Sequence, residues 1–430
     1  MRQWRVGTLS MGLILIALGI IMWVSQISGI SVIEHIVKWW PVVLIILGIE
    51  VLVYIFLSKQ EEPKVKFDIF SIIIISIIMM ASIGTYAVTS LISSGHGSLS
   101  INSMFDNHKY ESKFKKNLSV DANSSNLVVS NANGDVEVVK GEGKKIDVEA
   151  NITINNSDEA YAGKIAQSLV EIIDKKDIRI SSKADQYSNK GTIGYIRIDY
   201  LIKVPDTVNV EVDNKFGDVA LKDIALSGNV RNNNGDITVK SIGGTLKVNN
   251  SFGDIEINDI KGAATVSNTN GEIRGSRIGS KLTVINNFGD VIFSQVSGSI
   301  DVEGGNGAVE ITGVGEDVKV TNKFGDIKVL NANKSITLSG SNGNISLETE
   351  KIIEKDVNIE NKFGDIYLKV SGSQNGNIDA STQFGSVASD FGIAVNEDVN
   401  KETMKGTLTD DKIKFKVSNG NGDINIEKFK

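Results

Sequence analysis

The sequence predicts a mainly β protein, a parallel β-solenoid of the right-handed β-helix type with about 18 residues per coil, preceded by three transmembrane helices. Three observations lead to this prediction. Glycine recurs at steps of 18 residues between Gly217 and Gly343. Two apolar residues separated by one other residue follow most of these glycines, as Ile237 and Val239 follow Gly235. Three long apolar stretches lie in residues 1–95.

The repeat is visible in three neighbouring columns of the sequence. The recurring glycines are Gly217, Gly235, Gly253, Gly271, Gly289, Gly307, Gly325 and Gly343. The residue before each glycine alternates between phenylalanine and asparagine: Phe216, Asn234, Phe252, Asn270, Phe288, Asn306, Phe324 and Asn342. An acidic residue usually follows: Asp218, Asp236, Asp254, Glu272, Asp290 and Asp326. A fixed period of this kind indicates a repeat architecture.

Each unit contains two short strands with one buried face. The first follows the glycine, and the second carries apolar pairs such as Leu246 and Val248. Glycine and asparagine between the strands supply the positive φ angles that sharp corners require. A two-strand coil cannot bury its apolar side chains alone, so the coils are expected to stack on one another.

An asparagine column favours an 18-residue coil. Its members are Asn214, Asn232, Asn250, Asn268, Asn286, Asn322 and Asn361, interrupted by Gly304 and Gly340. Stacked coil on coil, these amides can form a hydrogen-bonded ladder. The Phe/Asn alternation is then explained by crowding, since a smaller residue separates successive phenylalanines. The alternative is a 36-residue coil, which would stack phenylalanine on phenylalanine.

The N-terminal region is predicted to cross a lipid bilayer three times, at about residues 6–24, 39–57 and 69–92. Arg2 and Arg5 precede the first span, and Lys59, Lys64 and Lys66 lie between the second and third. This distribution predicts a cytoplasmic N-terminus and an extracellular C-terminal domain. Glu50 lies inside the second span, where a carboxylate is costly, and is therefore a candidate functional residue. The alternative is a protonated or hydrogen-bonded structural residue.

The remaining chain divides by pattern. Residues 96–118 are polar and predict a stalk; residues 119–213 predict a capping module of strands and one helix; residues 214–390 contain the regular coils; residues 391–430 predict a C-terminal cap. The helix is expected to begin near Ser157 and Asp158, and to continue past Leu169 to Ile172 and Ile173. The final strands, around Phe415 and Ile424, are expected to close the stack.

Two parts of the sequence resemble known families. Residues Arg5–Phe56, with Gly12–Gly19 and Trp40–Glu50, resemble the transmembrane region of LiaI- and LiaF-type proteins of Gram-positive bacteria. From about Asn117 the chain resembles the "putative adhesin" β-strand-repeat family, which includes LiaG-like proteins, in its Asn-Gly-Asp-Val corners and its Val204-Pro205 lead-in. The resemblance implies a membrane-attached β-helix linked to the cell-envelope stress response, and it supplies no catalytic residues.

Composition narrows the functional classes. The net charge of −7 without a basic stretch argues against nucleic acid, and the absence of cysteine excludes thiolate metal sites. His96 and His108 are predicted to be exposed stalk residues. No cofactor is expected.

The acidic column is a weak calcium candidate at Asp218, Asp236, Asp254, Asp290 and Asp326, because carboxylates in turns bind hard cations. The alternative is that each aspartate accepts hydrogen bonds from corner amides. A carbohydrate-cleaving β-helix would need a distinctive carboxylate pair in one coil, whereas these carboxylates recur along the whole repeat.

The sequence therefore predicts a non-enzymatic membrane-anchored protein that senses or recognises an envelope polymer or a membrane-protein partner. A structural adhesin or spacer is the alternative, with a carbohydrate-active enzyme as a third reading. The sequence does not determine the oligomeric state.

Overall fold

A computed structural model of the chain describes Ile49, residues 110–187 and residues 193–429. Apart from Ile49, the three predicted spans lie outside these residues, as do Glu50, His96 and His108. Within the described part, no helix has the length and apolarity needed to cross a membrane. The chain divides into two compact units, Met1–Asn107 and His108–Lys430, and the fold below is that of the second unit.

The elements follow one another in three groups. The first group is β1 Tyr110–Asp121, β2 Asn126–Asn131, β3 Val136–Lys140, β4 Lys145–Asn156, α1 Glu159–Ala166, β5 Val170–Asp174, β6 Ile178–Ser182, a 3-10 turn Ala184–Gln186 and β7 Ile193–Val204. The regular coils are β8 Asn209–Phe216, β9 Val219–Ile224, β10 Gly228–Asn234, β11 Ile237–Ile242, β12 Leu246–Phe252, β13 Ile255–Ile260, β14 Ala264–Asn270, β15 Ile273–Ile278, β16 Leu282–Phe288, β17 Val291–Val296, β18 Ile300–Asn306, β19 Val309–Val314, β20 Val318–Phe324, β21 Ile327–Ala332, β22 Ile336–Asn342, β23 Ile345–Glu348, β24 Val357–Phe363 and β25 Ile366–Val370. The last group is β26 Asn377–Phe384, β27 Val387–Ser389, β28 Val395–Asp398, β29 Lys401–Thr407, β30 Lys414–Asn421 and β31 Ile424–Lys428.

Two long sheets run the length of the stack, and each coil contributes one strand to each sheet. Neighbouring strands of the regular coils are parallel. Asn232 pairs with Asn250, and Ile237 pairs with Ile255, so matching positions lie one coil apart. The 18-residue coil is therefore confirmed. The 36-residue alternative is wrong, because asparagine and phenylalanine rungs are direct neighbours, as Asn234 and Phe252 are.

The core lies between the two sheets and consists of the predicted apolar pairs. In a typical coil, Ile237, Val239, Leu246 and Val248 are buried almost completely. Burying each such side chain contributes about 1.5–3 kcal/mol relative to leaving it exposed. Since adjacent coils place identical positions in register, the apolar stripe is continuous from one coil to the next.

The N-terminal module differs in two details from the sequence prediction. The predicted stalk reaches residue 118, but β1 begins at Tyr110 and pairs antiparallel with β4, because its alternate apolar residues pack against the core. Helix α1 is shorter than expected. Asp158 caps it by accepting a hydrogen bond from the Tyr161 amide at 3.0 Å. The helix ends at Ala166, since Ile172 and Ile173 lie in β5, which pairs with β6.

This module is an insertion between the first coil, β2 and β3, and the second, β8 and β9. Strands β4 and β7 extend one sheet in antiparallel order, and the β5–β6 hairpin ends the other. The open edge β1 carries Lys113, Lys115 and Lys116. Charged side chains on an edge strand oppose pairing with another chain.

The C-terminal end departs from the predicted order. The last coil, β30 and β31, does not close the stack but lies between the coil of β24 and β25 and the coil of β26 and β27. It can do so because it retains a complete corner, Asn419 to Asp423, and can pair on both edges. Strands β28 and β29, which lack the repeat, form the antiparallel end beyond β26.

Replacing a corner glycine should destabilise the stack far more than replacing a glycine in an open turn. Gly235 has φ +134°, and a Cβ there would overlap the carbonyl oxygen of Gly217 in the preceding coil. We expect Gly235→Ala to lower the free energy of unfolding by about 4 kcal/mol, because backbone strain adds to displacement of the neighbouring coil.

The matched control is Gly143→Ala, since Gly143 also has a positive φ, +84°, but a Cβ there would meet nothing within 4 Å. We expect this change to cost about 1 kcal/mol. Chemical denaturation of the two purified variants provides the comparison. Equal losses would show that backbone conformation alone, and not the close approach of coils, makes glycine necessary.

Candidate functional site: the glycine corner

The glycine corner is the segment from the buried asparagine to the acidic residue of each coil, for example Asn232 to Asp236. It connects a strand of one sheet to a strand of the other. Its glycine has a positive φ in every regular coil and lies directly against the carbonyl of the preceding corner glycine. The Gly235 amide donates to the Phe252 carbonyl at 2.9 Å. Stacked corners therefore form one continuous edge along the protein.

The buried asparagines hold neighbouring corners together. Nδ2 of Asn232 donates to the carbonyl of Gly217 at 3.0 Å and to that of Gly235 at 3.2 Å. Asn250 and Asn286 make the same pair of bonds in their coils, and Asn268 bonds to the preceding coil's Gly253. Each amide thus supplies a hydrogen-bond donor to carbonyl groups that turn inward at the corner.

These bonds differ from the predicted ladder, because the amides do not bond to one another. The Oδ1 atoms of Asn232, Asn250, Asn268 and Asn286 are buried and have no hydrogen-bond partner in the described part of the chain. The amide hydrogens go instead to the carbonyls of the corner glycines. The asparagine column therefore donates hydrogen bonds to the backbone and does not form a ladder of bonds between side chains.

Substitutions at Asn286 can show whether the asparagine column stabilises the fold by donating hydrogen bonds or by its side-chain shape. Its Nδ2 lies 3.0 Å from the Gly271 carbonyl oxygen and 2.8 Å from that of Gly289. We expect Asn286→Ala to cost about 2 kcal/mol, because two buried acceptors lose their donor. Asn286→Asp should cost more, about 3 kcal/mol at neutral pH, although its shape is closer to asparagine, because a carboxylate repels the same carbonyls.

Denaturation of both variants across a pH series measures this effect. The folded state raises the pKa of the introduced carboxyl, so the ionisation penalty of Asn286→Asp should be complete above that raised pKa and should be lost as the pH falls to the ordinary carboxyl pKa. The Asn286→Ala penalty should not show this dependence. A smaller penalty for aspartate than for alanine at neutral pH would contradict the donor role.

The acidic column forms a second set of bonds on the outside of the corner. Oδ1 of Asp218 accepts from the Asp236 amide at 2.8 Å, Asp236 accepts from Asp254, and Asp254 accepts from Glu272. Asp290 and Asp326 accept in the same way from Ala308 and Asn344. Each of these five aspartates therefore satisfies an amide of the following coil, which is the hydrogen-bonding alternative to a calcium site.

The structure does not gather these carboxylates into a compact site. They lie one per coil in a line, and within residues 110–187 and 193–429 no group of three or more acidic or histidine side chains is arranged to hold a metal ion. The calcium role of these residues stays a prediction. Sequence reasoning identified the column but not the amides that it serves, because those belong to the next coil.

The hydrogen-bonding role of the acidic column can be tested with asparagine, a residue that already occupies this position in one coil. Asn344 occupies the same position, and its Oδ1 accepts from the Asp365 amide at 2.8 Å. We expect Asp254→Asn to leave the free energy of unfolding nearly unchanged and Asp254→Ala to lower it by about 1 kcal/mol, since only alanine removes the acceptor. Thermal melting of both variants, with and without calcium, measures this effect.

Calcium should leave the melting temperature of the wild-type protein unchanged. A calcium-dependent increase that disappears in Asp254→Asn would overturn the hydrogen-bonding role and restore the metal site.

The residue before the corner glycine is exposed in most coils. Phe288 and Phe324 are each 53 % exposed, and Phe363 is 54 % exposed. The asparagines between them, such as Asn306, are also exposed. The alternation is thus a property of the surface and does not arise from packing in the core.

Family models match both regions of the chain. Residues 10–100 match the LiaF transmembrane domain, and residues 279–427 match the domain described as Toastrack DUF4097. This chain joins a LiaF transmembrane domain to a Toastrack domain. The corner geometry of the Toastrack match continues without interruption into the coils before residue 279, where Asn250 and Asn268 pair in the same register.

Solved structures of adhesin-like proteins are similar to this chain at low identity. One is described as a "putative cell adhesion protein" from Clostridium sporogenes, with 13 % identity, a TM-score of 0.20, and coverage of 74 % of this chain and 100 % of that one. Another is described as a "putative adhesin" from Bacteroides fragilis, with 12 % identity, a TM-score of 0.25, and coverage of 74 % and 98 %. No curated protein matches the chain.

A second corner of the Toastrack coils was missed by sequence reasoning. Asp223, Ser241, Asp259, Arg277, Gln295 and Asn331 all have φ between 55° and 60°. The left-handed backbone at these residues bends the strand, so the next apolar residue, for example Ile242 after Ser241, turns back into the core. The only signal in the sequence is the apolar residue that breaks the alternation of the preceding strand.

An open groove of about 820 Å³ follows this second corner. Its charged side chains are mostly engaged with one another. Arg277 donates to both carboxylate oxygens of Asp259, which lowers the pKa of Asp259 and raises that of Arg277. Nζ of Lys140 lies 2.7 Å from Oδ2 of Asp206. Four of the charged side chains that line the groove are therefore neutralised in ion pairs.

Proposed function

We propose that this protein is a non-enzymatic, membrane-anchored receptor whose extracellular solenoid recognises a cell-envelope component and passes its state to partners in the membrane. The observation that carries the proposal is the combination, in one chain, of a LiaF transmembrane domain and a continuous stack of coils. The LiaF match supports a role in envelope stress sensing. The distribution of basic residues supports an extracellular location of the solenoid.

The proposal of a non-enzymatic role is supported by how the carboxylates are used. Each corner aspartate repeats in coil after coil and accepts a backbone hydrogen bond, as Asp218 and Asp236 do. A glycoside hydrolase needs two carboxyl groups with different protonation states on either side of one bond. Repeated, equivalent carboxylates are suited to a structural role instead.

Transmission to the membrane is assigned to the LiaF transmembrane domain. One span would be enough for a tether, so several predicted spans favour contacts with other membrane proteins. Glu50 is the predicted polar residue for such a contact, because a carboxylate within a bilayer seeks a partner. A structural adhesin or spacer is the second candidate, favoured by two uninterrupted sheets that are well suited to holding a surface at a fixed distance.

A reporter of envelope stress, measured after treatment with a cell-wall antibiotic, distinguishes the two roles. We expect deletion of the chain to change the reporter response, because the receptor is lost. Deletion of residues 235–270 removes two coils, joins Asn234 to Gly271 and shortens the stack by about 9.6 Å. We expect this variant to retain the response, since the anchor and most of the corner surface remain.

The spacer role predicts the reverse result. Surface attachment would then fall with the length of the stack, and the reporter would be unchanged even when the whole chain is absent. Glu50→Gln provides the variant within the membrane. An altered response at an unchanged protein level supports transmission through this residue, whereas an unaltered response assigns it a structural role.

A further inference from the structure

The phenylalanines that precede corner glycines form a single column whose order follows space rather than the chain. Backbone bonds between successive corners give the sequence of rungs. From one end to the other they are Asn133, Phe216, Asn234, Phe252, Asn270, Phe288, Asn306, Phe324, Asn342, Phe363, Asn421 and Phe384. Phenylalanine and asparagine alternate at every step. We call this column the phenylalanine ladder.

The alternation persists where the chain order is broken. Asn133 and Phe216 are neighbours although the capping module separates them. Asn421 lies between Phe363 and Phe384, because β30 is inserted between β24 and β26. A sequence repeat alone would place Phe384 next to Phe363. The alternation is therefore a feature of the assembled surface and not only a by-product of duplicated coils.

The rings are not needed to fill the core. Phe288, Phe324 and Phe384 are each 53 % exposed, and the asparagine rungs show that the corner forms without a ring. An exposed row of aromatic side chains along one edge is unusual for a soluble surface and marks a binding site. Its length favours a polymer over a small molecule.

The spacing selects the kind of polymer. Neighbouring coils are about 4.8 Å apart, so rings on every second coil are about 9.6 Å apart. An extended peptide repeats its side chains every ~6.7 Å on one face, which does not match. Two turns of an α-helix rise about 10.8 Å, so a helix would lose register over successive rings. A β-1,4-linked glycan turns alternate sugars over, and its two-sugar repeat is slightly longer than two coils but closer to them than the helical repeat is.

The charges on either side of the ladder favour an uncharged chain. The acidic column, including Asp218, Asp236 and Asp254, borders it on one side, whereas Lys215, Lys323 and Lys362 lie on the other. A polyanion would be repelled along the whole acidic border. A neutral polyhydroxyl chain has hydroxyl donors for these carboxylates and flat apolar ring faces for the phenylalanines.

We propose that the phenylalanine ladder binds an extended, neutral, β-1,4-linked glycan, with every second sugar stacked on a phenylalanine ring. The asparagine rungs and the bordering carboxylates bond to the hydroxyl and amide groups of the sugars between. This inference names the ligand class of the receptor described above and rests on that proposed function. It assigns specificity to the spacing of the rings.

The test uses the full chain in lipid nanodiscs and a fluorescent β-1,4-linked oligomer of N-acetylglucosamine, with binding followed by anisotropy. Phe288→Asn combined with Phe324→Asn should weaken binding about tenfold, because two adjacent stacking positions are lost. Asparagine already occupies the same position in neighbouring coils, so the fold should be retained. Tyr110→Asn, at a similarly exposed aromatic on the edge strand β1, is the control and should bind normally.

A second variant distinguishes binding that depends on the spacing of the rings from nonspecific apolar binding. Asn306→Phe adds a ring between Phe288 and Phe324. We expect it to weaken binding, because the added ring fills the space between two stacked sugars. Tighter binding by this variant, or equally tight binding of an α-1,4-linked glucose oligomer, would overturn the proposal and indicate a nonspecific apolar surface.

Two other outcomes are decisive. Failure of the β-1,4-linked oligomer to bind, while a cationic amphipathic peptide binds in a manner lost in the double variant, would replace the glycan by a peptide ligand. Failure of every probe to bind, with the envelope reporter still dependent on the chain, would overturn the ligand class and leave the receptor role intact.

Discussion

The close approach of one corner glycine to the next is the constraint on which the rest of the structure depends. A Cβ at Gly217, Gly235 or Gly253 would overlap the backbone of the preceding coil. Coils can therefore stack at strand spacing around the corner as well as within the sheets. If any corner were wider, the strands on both sides would lose their register and the apolar pairs would no longer meet.

This tight corner leaves backbone groups that ordinary sheet pairing does not satisfy, and in most coils an asparagine and an aspartate satisfy them. The buried asparagine donates to inward carbonyls, as Asn232 does to Gly217 and Gly235. The aspartate accepts from the amide of the next coil, as Asp218 does from Asp236. The Asn-x-x-Gly-Asp pattern is thus a consequence of corner geometry. Neither role involves the residue before the glycine, where phenylalanine and asparagine alternate.

The presence or absence of a complete corner also determines where the stack ends. Where the corner is complete, as at Asn419 to Asp423, the chain forms an interior coil even though this segment comes last in the sequence. Where the corner is absent, as in β28 and β29, strands pair antiparallel and the stack ends. The step of 21 residues before Gly364 is absorbed by a longer loop around Ile353, tied to Gln374, so that the register at the glycine corner is kept.

The sequence by itself determined the coil length, the strand pairs, the corner glycines and the columns of asparagine and aspartate, because each depends on contacts between residues at a fixed spacing. The LiaF-like N-terminus was likewise recognisable from local hydropathy and motif. Only the tertiary structure decided which groups the asparagines and aspartates bond, since their partners belong to adjacent coils. It also decided that β30 and β31 lie inside the stack and that Phe363, Asn421 and Phe384 are consecutive rungs. The physical reason is that strand pairing depends on which strand edges meet in space. A coil that can form hydrogen bonds on both edges can therefore insert next to any unpaired edge, whatever its place in the sequence.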